Sequence, residues 1–134
     1  MSLRWLLGPV GNFGQTIPLV LPLHTFAIEC GFSAILGFVI IAVATDDRVA
    51  PGVAPFAIGA TVFMGALVAG PLTGGSFNPA RSLGPAVASR AWTLHWMYWN
   101  AAVTGVVMGM LSYDDLRPTG VSIDVEPTAT DGPI

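Results

Sequence analysis

Long apolar segments alternate with short polar ones along this chain. His24–Ala44, "HTFAIECGFSAILGFVIIAVA", carries a single charge, Glu29, in 21 residues. A helix needs about 20 apolar residues to cross the hydrocarbon core of a bilayer, so this segment reads as a first span. "TDDRVAPG" ends it with two acids, an arginine, a proline and a glycine. Val53–Gly70 reads as a second span, with Pro55 in the first turn, where proline is tolerated, and Pro71 closing it. Thr93–Tyr113 reads as a third. Trp92, Trp96, Tyr98 and Trp99 crowd its start, the pattern of an aromatic belt at a membrane interface. Packing aromatics between helices are the alternative.

The flanks are different. Residues 1–23 hold Pro9, Pro18 and Pro22 among several glycines, which argues against one spanning helix and for a loop or interfacial segment. Residues 114–134 are polar, acidic and rich in Pro and Thr, the composition of a disordered tail. Within the spans, small residues recur four apart: Ala101, Gly105 and Gly109 in one row, Gly65 and Ala69 in another. In lipid such rows let helix backbones approach closely, so these helices expect tight helical neighbours.

Composition strengthens the membrane reading. The chain is 53% hydrophobic and 10% charged, where a soluble domain carries about 25% charge. The net charge of −3 and the absence of lysine give no footprint for a nucleic-acid partner. Cys30 is the lone cysteine, so no internal disulfide forms, and it reads as a small buried filler. The apolar run after Arg4 is too short for a signal peptide. An enzyme fits poorly. His24 and His95 lie at the outer ends of two spans, and no nucleophile–base motif, phosphate loop or Cys/His metal spacing occurs. The pair Asp114–Asp115 reads as a solvated helix end, and no cofactor or metal is implied.

One polar stretch interrupts this field: "TGGSFNPARSLGP", Thr73–Pro85. Asn78 suits an N-cap and Pro79 the first helical position. Ala80–Ala88 can follow as a short helix of about ten residues, about 15 Å long, half a bilayer. Irregular backbone at membrane depth is tolerated where it lines a cavity or is buried in protein. A half-helix starting there presents free N–H groups and a positive dipole end, which repel cations and welcome acceptor oxygens. Asn78 adds an amide NH2, and Arg81 a fixed charge with five donors. An arginine in an apolar setting is costly and marks a functional site. The plain alternative is an exposed loop with Arg81 as a surface charge.

The stretch "LTGGSFNPARSLGPAV" resembles the second signature loop of the aquaporin, or major intrinsic protein, family. "FAIECGFSAILGFVIIAVATD" resembles that family's fourth helix with its buried glutamate, "APFAIGATVFMGALVAGPLTG" its fifth, Thr93–Tyr113 its sixth, and "LLGPVGNFGQTIP" the loop between the third and fourth. The resemblance covers about residues 5–113. It implies an all-α membrane protein: half of an aquaporin-like fold, with three transmembrane helices (24–44, 53–70, 93–113) and one re-entrant loop and half-helix (71–89). It also implies roles. Asn78, with Pro79 and Ala80, would stand at the pore midpoint, and Arg81 would be the selectivity-filter cation. Glu29 would hold the re-entrant loop by its backbone. Ala66 and Gly75 would be further filter positions, both tiny, giving a wide filter.

The implied function is a passive channel for water and small uncharged solutes such as glycerol-like polyols or metalloid hydroxides, in the cell membrane. The family fold pairs two inverted repeats, and this sequence matches the second. The expected partners are therefore lipid, the missing first half or an inverted second copy, and further copies in a homo-oligomer. The alternative is a non-transporting membrane subunit derived from a channel. By the resemblance, Asp46–Arg48 and the tail face the cytoplasm and 71–92 enters from outside. The arginine tally is even, with Arg48 and Arg117 on one side and Arg4 and Arg90 on the other.

Overall fold

The computed structural model describes residues 14–46, 49–50 and 52–117. These residues form four helices: α1 (Pro22–Ala44), α2 (Val53–Thr73), α3 (Pro79–Ser89) and α4 (His95–Leu116). Among them no strand occurs. Three helices are long, at 23, 21 and 22 residues, and α3 has 11. At about 1.5 Å per residue, α3 is half the length of its neighbours. Two, α1 and α2, are long and apolar enough to cross a membrane, with mean hydropathy of 2.3 and 1.9 over their most apolar stretches. The His, Trp, Tyr and Asn residues in the first turns of α4 dilute its apolar character.

Apart from Phe77, Met97 and Tyr98, the buried residues are small or polar, while many large apolar side chains are exposed. In α1 the buried residues are Thr25, Glu29, Ser33 and Gly37, spaced four apart on one stripe. Leu23 and Ile35 on the same helix are exposed. In α4 the buried set includes Ala101, Ala102, Gly105 and Gly109, while Trp96, Val103, Val107 and Leu111 face out. Water-soluble helices bury the opposite sets. In lipid, where tails are as apolar as leucine, small and polar residues hold helices together.

The α1–α4 seam is the most extensive contact, and α1 also packs on α2 while α3 folds back on α4. Glycines make the seam possible. A Cβ at Gly37 would lie 2.6 Å from the Val106 carbonyl oxygen. One at Gly105 would strike the Cys30 carbonyl oxygen and come within 2.7 Å of Ser33 Cβ, and one at Gly109 would strike the Ala34 carbonyl oxygen.

Some helix ends differ from those read in the sequence. The second helix runs on through Pro71 to Thr73. Pro71 lacks only the donor that would reach back to Leu67. The two residues after it keep helical form, and the helix closes with Gly74 N–H on the Gly70 carbonyl at 3.0 Å. The last helix extends through Asp114 and Asp115 to Leu116. Beyond Arg117, the expected disordered tail lies outside the described residues, as does residues 1–13 of the expected N-terminal loop. Residues 14–21 precede α1 as a strap across the turn after α2: Leu19 N–H donates to the Leu72 carbonyl at 2.9 Å.

Candidate functional site: the re-entrant turn and half-helix

The turn from Gly74 to Asn78 joins two helices through backbone that few residues adopt. Gly74 and Gly75 have φ of 88° and 55°, and Phe77 has φ of 52°. Glycine takes this region freely, but a bulky residue there costs roughly 1–3 kcal/mol. The geometry turns successive N–H groups inward, as in an anion-binding nest.

The anion in this nest is Glu29. Its side chain is fully buried. Oε1 accepts the Thr73 hydroxyl at 2.6 Å and the Ser76 N–H at 3.0 Å. Oε2 accepts the same Ser76 N–H at 3.1 Å and the Phe77 N–H at 2.9 Å. Gly75 N–H goes to Thr73 Oγ1 at 3.2 Å. Buried charges persist where hydrogen bonds replace lost water, and here each carboxylate oxygen has two donors. Tyr98, also fully buried, donates its hydroxyl to the Thr73 carbonyl at 2.6 Å and so ties α4 to the same turn. Its burial corrects the reading of Tyr98 as an interfacial aromatic. Trp92, Trp96 and Trp99 are exposed, and Tyr98 alone of the four points into the bundle.

A second network lies behind the turn. Ser76 donates to the Asn78 carbonyl at 2.9 Å. Its one proton being used, Ser82 must donate to Ser76 across their 2.6 Å contact. Thr16 on the strap in turn donates to Ser82 at 2.9 Å. All three hydroxyl residues are buried.

Asn78 and Arg81 lie on the other side. Asn78 caps α3 through Oδ1, which accepts the Ala80 N–H at 2.9 Å. This leaves its NH2 without a partner among the described residues. Pro79 occupies the first turn of α3, as its fixed φ suits. Asn78, Ala80 and Arg81 are exposed, whereas Ser82 and Ala86 turn into the bundle. The side chain of Arg81, three residues on from Asn78, shares its face and makes no hydrogen bond among the described residues. Ala66 is exposed on α2, and Gly75 lies against it: a Cβ on Gly75 would sit 3.6 Å from Ala66 Cα and 3.3 Å from Gly70 N. Gly75 is thus required small by its φ and by this contact, apart from any filter.

The described site therefore brings Asn78, Pro79, Ala80 and Arg81 together at the start of α3, with Gly75 and Ala66 adjacent in the turn and α2, and Glu29 behind them. Thr16 and Ser76 were not singled out from the sequence, and Thr73, Ser82 and Tyr98 were read as parts of the polar stretch and of the aromatic belt, not as partners in these networks. The only signal for them was polarity in an apolar field.

Comparison with known proteins decides the lineage. The model of the family described as "Major intrinsic protein" matches residues 10–113. The chain belongs to the major intrinsic protein family. It is 40% identical over 112 residues to Aquaporin NIP6-1 of Arabidopsis thaliana, covering 84% of this chain and 37% of that protein. It is 41% identical over 111 residues to the Probable aquaporin NIP-type of Nicotiana alata, covering 83% and 38%. It is 42% identical over 119 residues to Aquaporin NIP1-2 of Oryza sativa subsp. japonica, covering 88% and 39%. The chain thus spans about two fifths of the length of the curated relatives it matches. Family membership and the two apolar helices make this major intrinsic protein chain an integral membrane protein.

Proposed function

We propose that this chain forms one half of a passive transmembrane channel for water and small uncharged solutes, among them glycerol-like polyols or metalloid hydroxides, in the plasma membrane. One observation carries the reading. The Asn78 NH2 and the Arg81 guanidinium, without hydrogen-bond partners among the described residues, share one exposed face at the N-terminus of a half-length helix, and the turn ahead of them is pinned by Glu29. Donors and a positive dipole end at that place bind acceptor oxygens of passing neutral molecules and reject cations. The small Ala66 and Gly75 favour solutes wider than water. The names of the aquaporin relatives support the same direction.

The exposed face requires an opposing wall. An arginine left against lipid costs at least about 2.5–3.5 kcal/mol on insertion scales. The wall would be the first half of a complete pore or an inverted copy of this chain, and complete pores would assemble as homo-oligomers.

The test is flux in proteoliposomes, with the chain alone and with a first half supplied as a second polypeptide. Osmotic swelling should appear where the wall is present and fall in Asn78→Asp and Arg81→Ala. Flux indifferent to both substitutions would exclude the mechanism. Water flow without any glycerol passage would exclude the wide filter.

A further inference from the structure

Gly65 sits in the middle of α2, where glycine weakens a helix and no positive φ demands it. Its reason lies across the interface. A Cβ there would come within 2.9 Å of Phe77 Cε2, 3.2 Å of Phe77 Cζ and 3.3 Å of Phe32 Cδ1. The ring of Phe77 fills the notch and is 6% exposed, and it meets Phe32 of α1 at 5.5 Å between centroids with the planes tilted by 44°. The same residue donates its N–H to Glu29 and directly precedes Asn78. It holds a left-handed φ of 52° that an aromatic side chain would not choose. Its ring is therefore wedged between α1 and α2 while its backbone is bound to α1.

We propose that Phe77 is a positioning residue: the fit of its ring into the Gly65 notch sets the depth at which Asn78 and Arg81 are presented, and thereby the permeability of the site. Glu29 holds the turn to α1 through the Thr73 hydroxyl and the Ser76 and Phe77 N–H groups. The ring fixes how far the turn stands from α2, the helix that carries Ala66. A methyl group on Gly65 would push the ring, and with it the start of α3, away from α2. Packed cores respond to such a step by shifting between arrangements rather than by compressing. The effect on permeation rests on the channel function proposed above, and the effect on geometry does not.

The experiment is a size-exchange cycle with two readouts, using Gly65→Ala, Phe77→Leu and the double variant. The first readout is the amide 1H shifts and hydrogen exchange of Ser76 and Phe77 in detergent, which report their bonds to the Glu29 carboxylate. The second is the water-to-glycerol permeability ratio of the pore reconstituted with its first half. Gly65→Ala should move both amide signals and change the ratio about tenfold, the scale of an overpacking step. The double variant should return both towards the parent. Gly37→Ala overpacks the α1–α4 seam instead, and should lower thermal stability while leaving the amides and the ratio in place.

Failure of Phe77→Leu to rescue either the amide signals or the ratio overturns the proposal, and so does an equal response to Gly37→Ala. A parent pore without flux removes the channel reading, and the amide signals then still decide whether Phe77 sets the geometry.

Discussion

Glu29 and Arg81 are both charges in an apolar chain, and the structure treats them in opposite ways. Glu29 is fully buried and meets donors on both oxygens. Arg81 is exposed and holds no hydrogen bond among the described residues. The difference extends to their surroundings. On the Glu29 side helices touch backbone to backbone through Gly37, Gly105 and Gly109, and Tyr98, Thr73, Ser76 and Ser82 are engaged in hydrogen bonds. On the Arg81 side Ala66, Asn78, Ala80 and Gly84 are exposed, and nothing lies within 4 Å of a Cβ added at Gly84. A closed face stores the stability of this fold, and an open face carries the groups that can meet something else. Substitutions should therefore separate: those on the closed face should cost folding, and those on the open face should cost function.

The greatest contrast is between two glycines. Gly105→Val forces a branched side chain onto the Cys30 carbonyl oxygen and Ser33. Backbone cannot step aside as a side chain can, so the penalty should exceed the usual overpacking range of about 1–3 kcal/mol. Size-exclusion profiles in detergent should show loss of the folded species. At Gly84 nothing lies within 4 Å of an added Cβ. Gly84→Ala should leave the melting temperature unchanged or raise it slightly, within about 0.5–1 kcal/mol, since alanine favours helix. Equal effects of the two would erase the distinction between the faces.

Next comes the carboxylate. Glu29→Gln keeps size but offers an NH2 where N–H donors already point. The Ser76 and Phe77 N–H groups would lose part of their acceptor set, and the loss should be about 2–3 kcal/mol, the penalty of unsatisfied buried polar groups near a charge site. Amide exchange at these two positions should rise before global unfolding does. Tyr98→Phe should cost less, about 1–2 kcal/mol, by leaving the Thr73 carbonyl without its 2.6 Å donor. Thermal unfolding would measure both.

How much of this was legible in the sequence follows from the range of each cause. The helices α1 and α2 could be read because hydropathy is a property of consecutive residues. The half-helix could be read because Asn78-Pro79 is a local capping signal. The end of α2 was not, because whether a helix survives Pro71 depends on how the turn beyond it is held. Contacts across long separations left no periodic trace: Thr73 meets Glu29 from 44 residues away, and Thr16 meets Ser82 from 66. Tyr98 shows the limit best. Its neighbours Trp96 and Trp99 are exposed, and nothing in "WMYWN" marks the tyrosine as the aromatic that reaches inward. The spacing of Ala101, Gly105 and Gly109 was legible as a close-packing row, and these residues do lie buried, the two glycines against α1. Which helix fills such a row is a fact of topology.

On the open face the expected losses of stability are smaller. Asn78→Ala removes the N-cap acceptor for Ala80 and should cost about 1 kcal/mol. Asn78→Asp keeps that acceptor, and aspartate caps as well as asparagine, so unfolding should move by only a few tenths of a kcal/mol. Any loss of flux in Asn78→Asp then belongs to the missing NH2 and the added charge. If Asn78→Asp destabilises as much as Asn78→Ala does, the NH2 has a structural partner and the face is less open than its geometry indicates.

Arg81→Ala should have the smallest effect on stability. The guanidinium has no hydrogen bond to lose among the described residues, alanine is a better helix former, and exposed sites of this kind fall within about 0.5 kcal/mol. The same substitution removes the only fixed positive charge on α3 among its described residues before Arg90. In a reconstituted pore it should therefore raise the passage of cations relative to neutral solutes, because the helix dipole alone would remain to repel them. Melting curves and ion flux on one preparation check both parts. A large fall in melting temperature would mean that Arg81 is anchored in the fold, and the opposition between it and Glu29 would be lost. Unchanged stability with altered cation exclusion would place its work outside the folded core, at the open face.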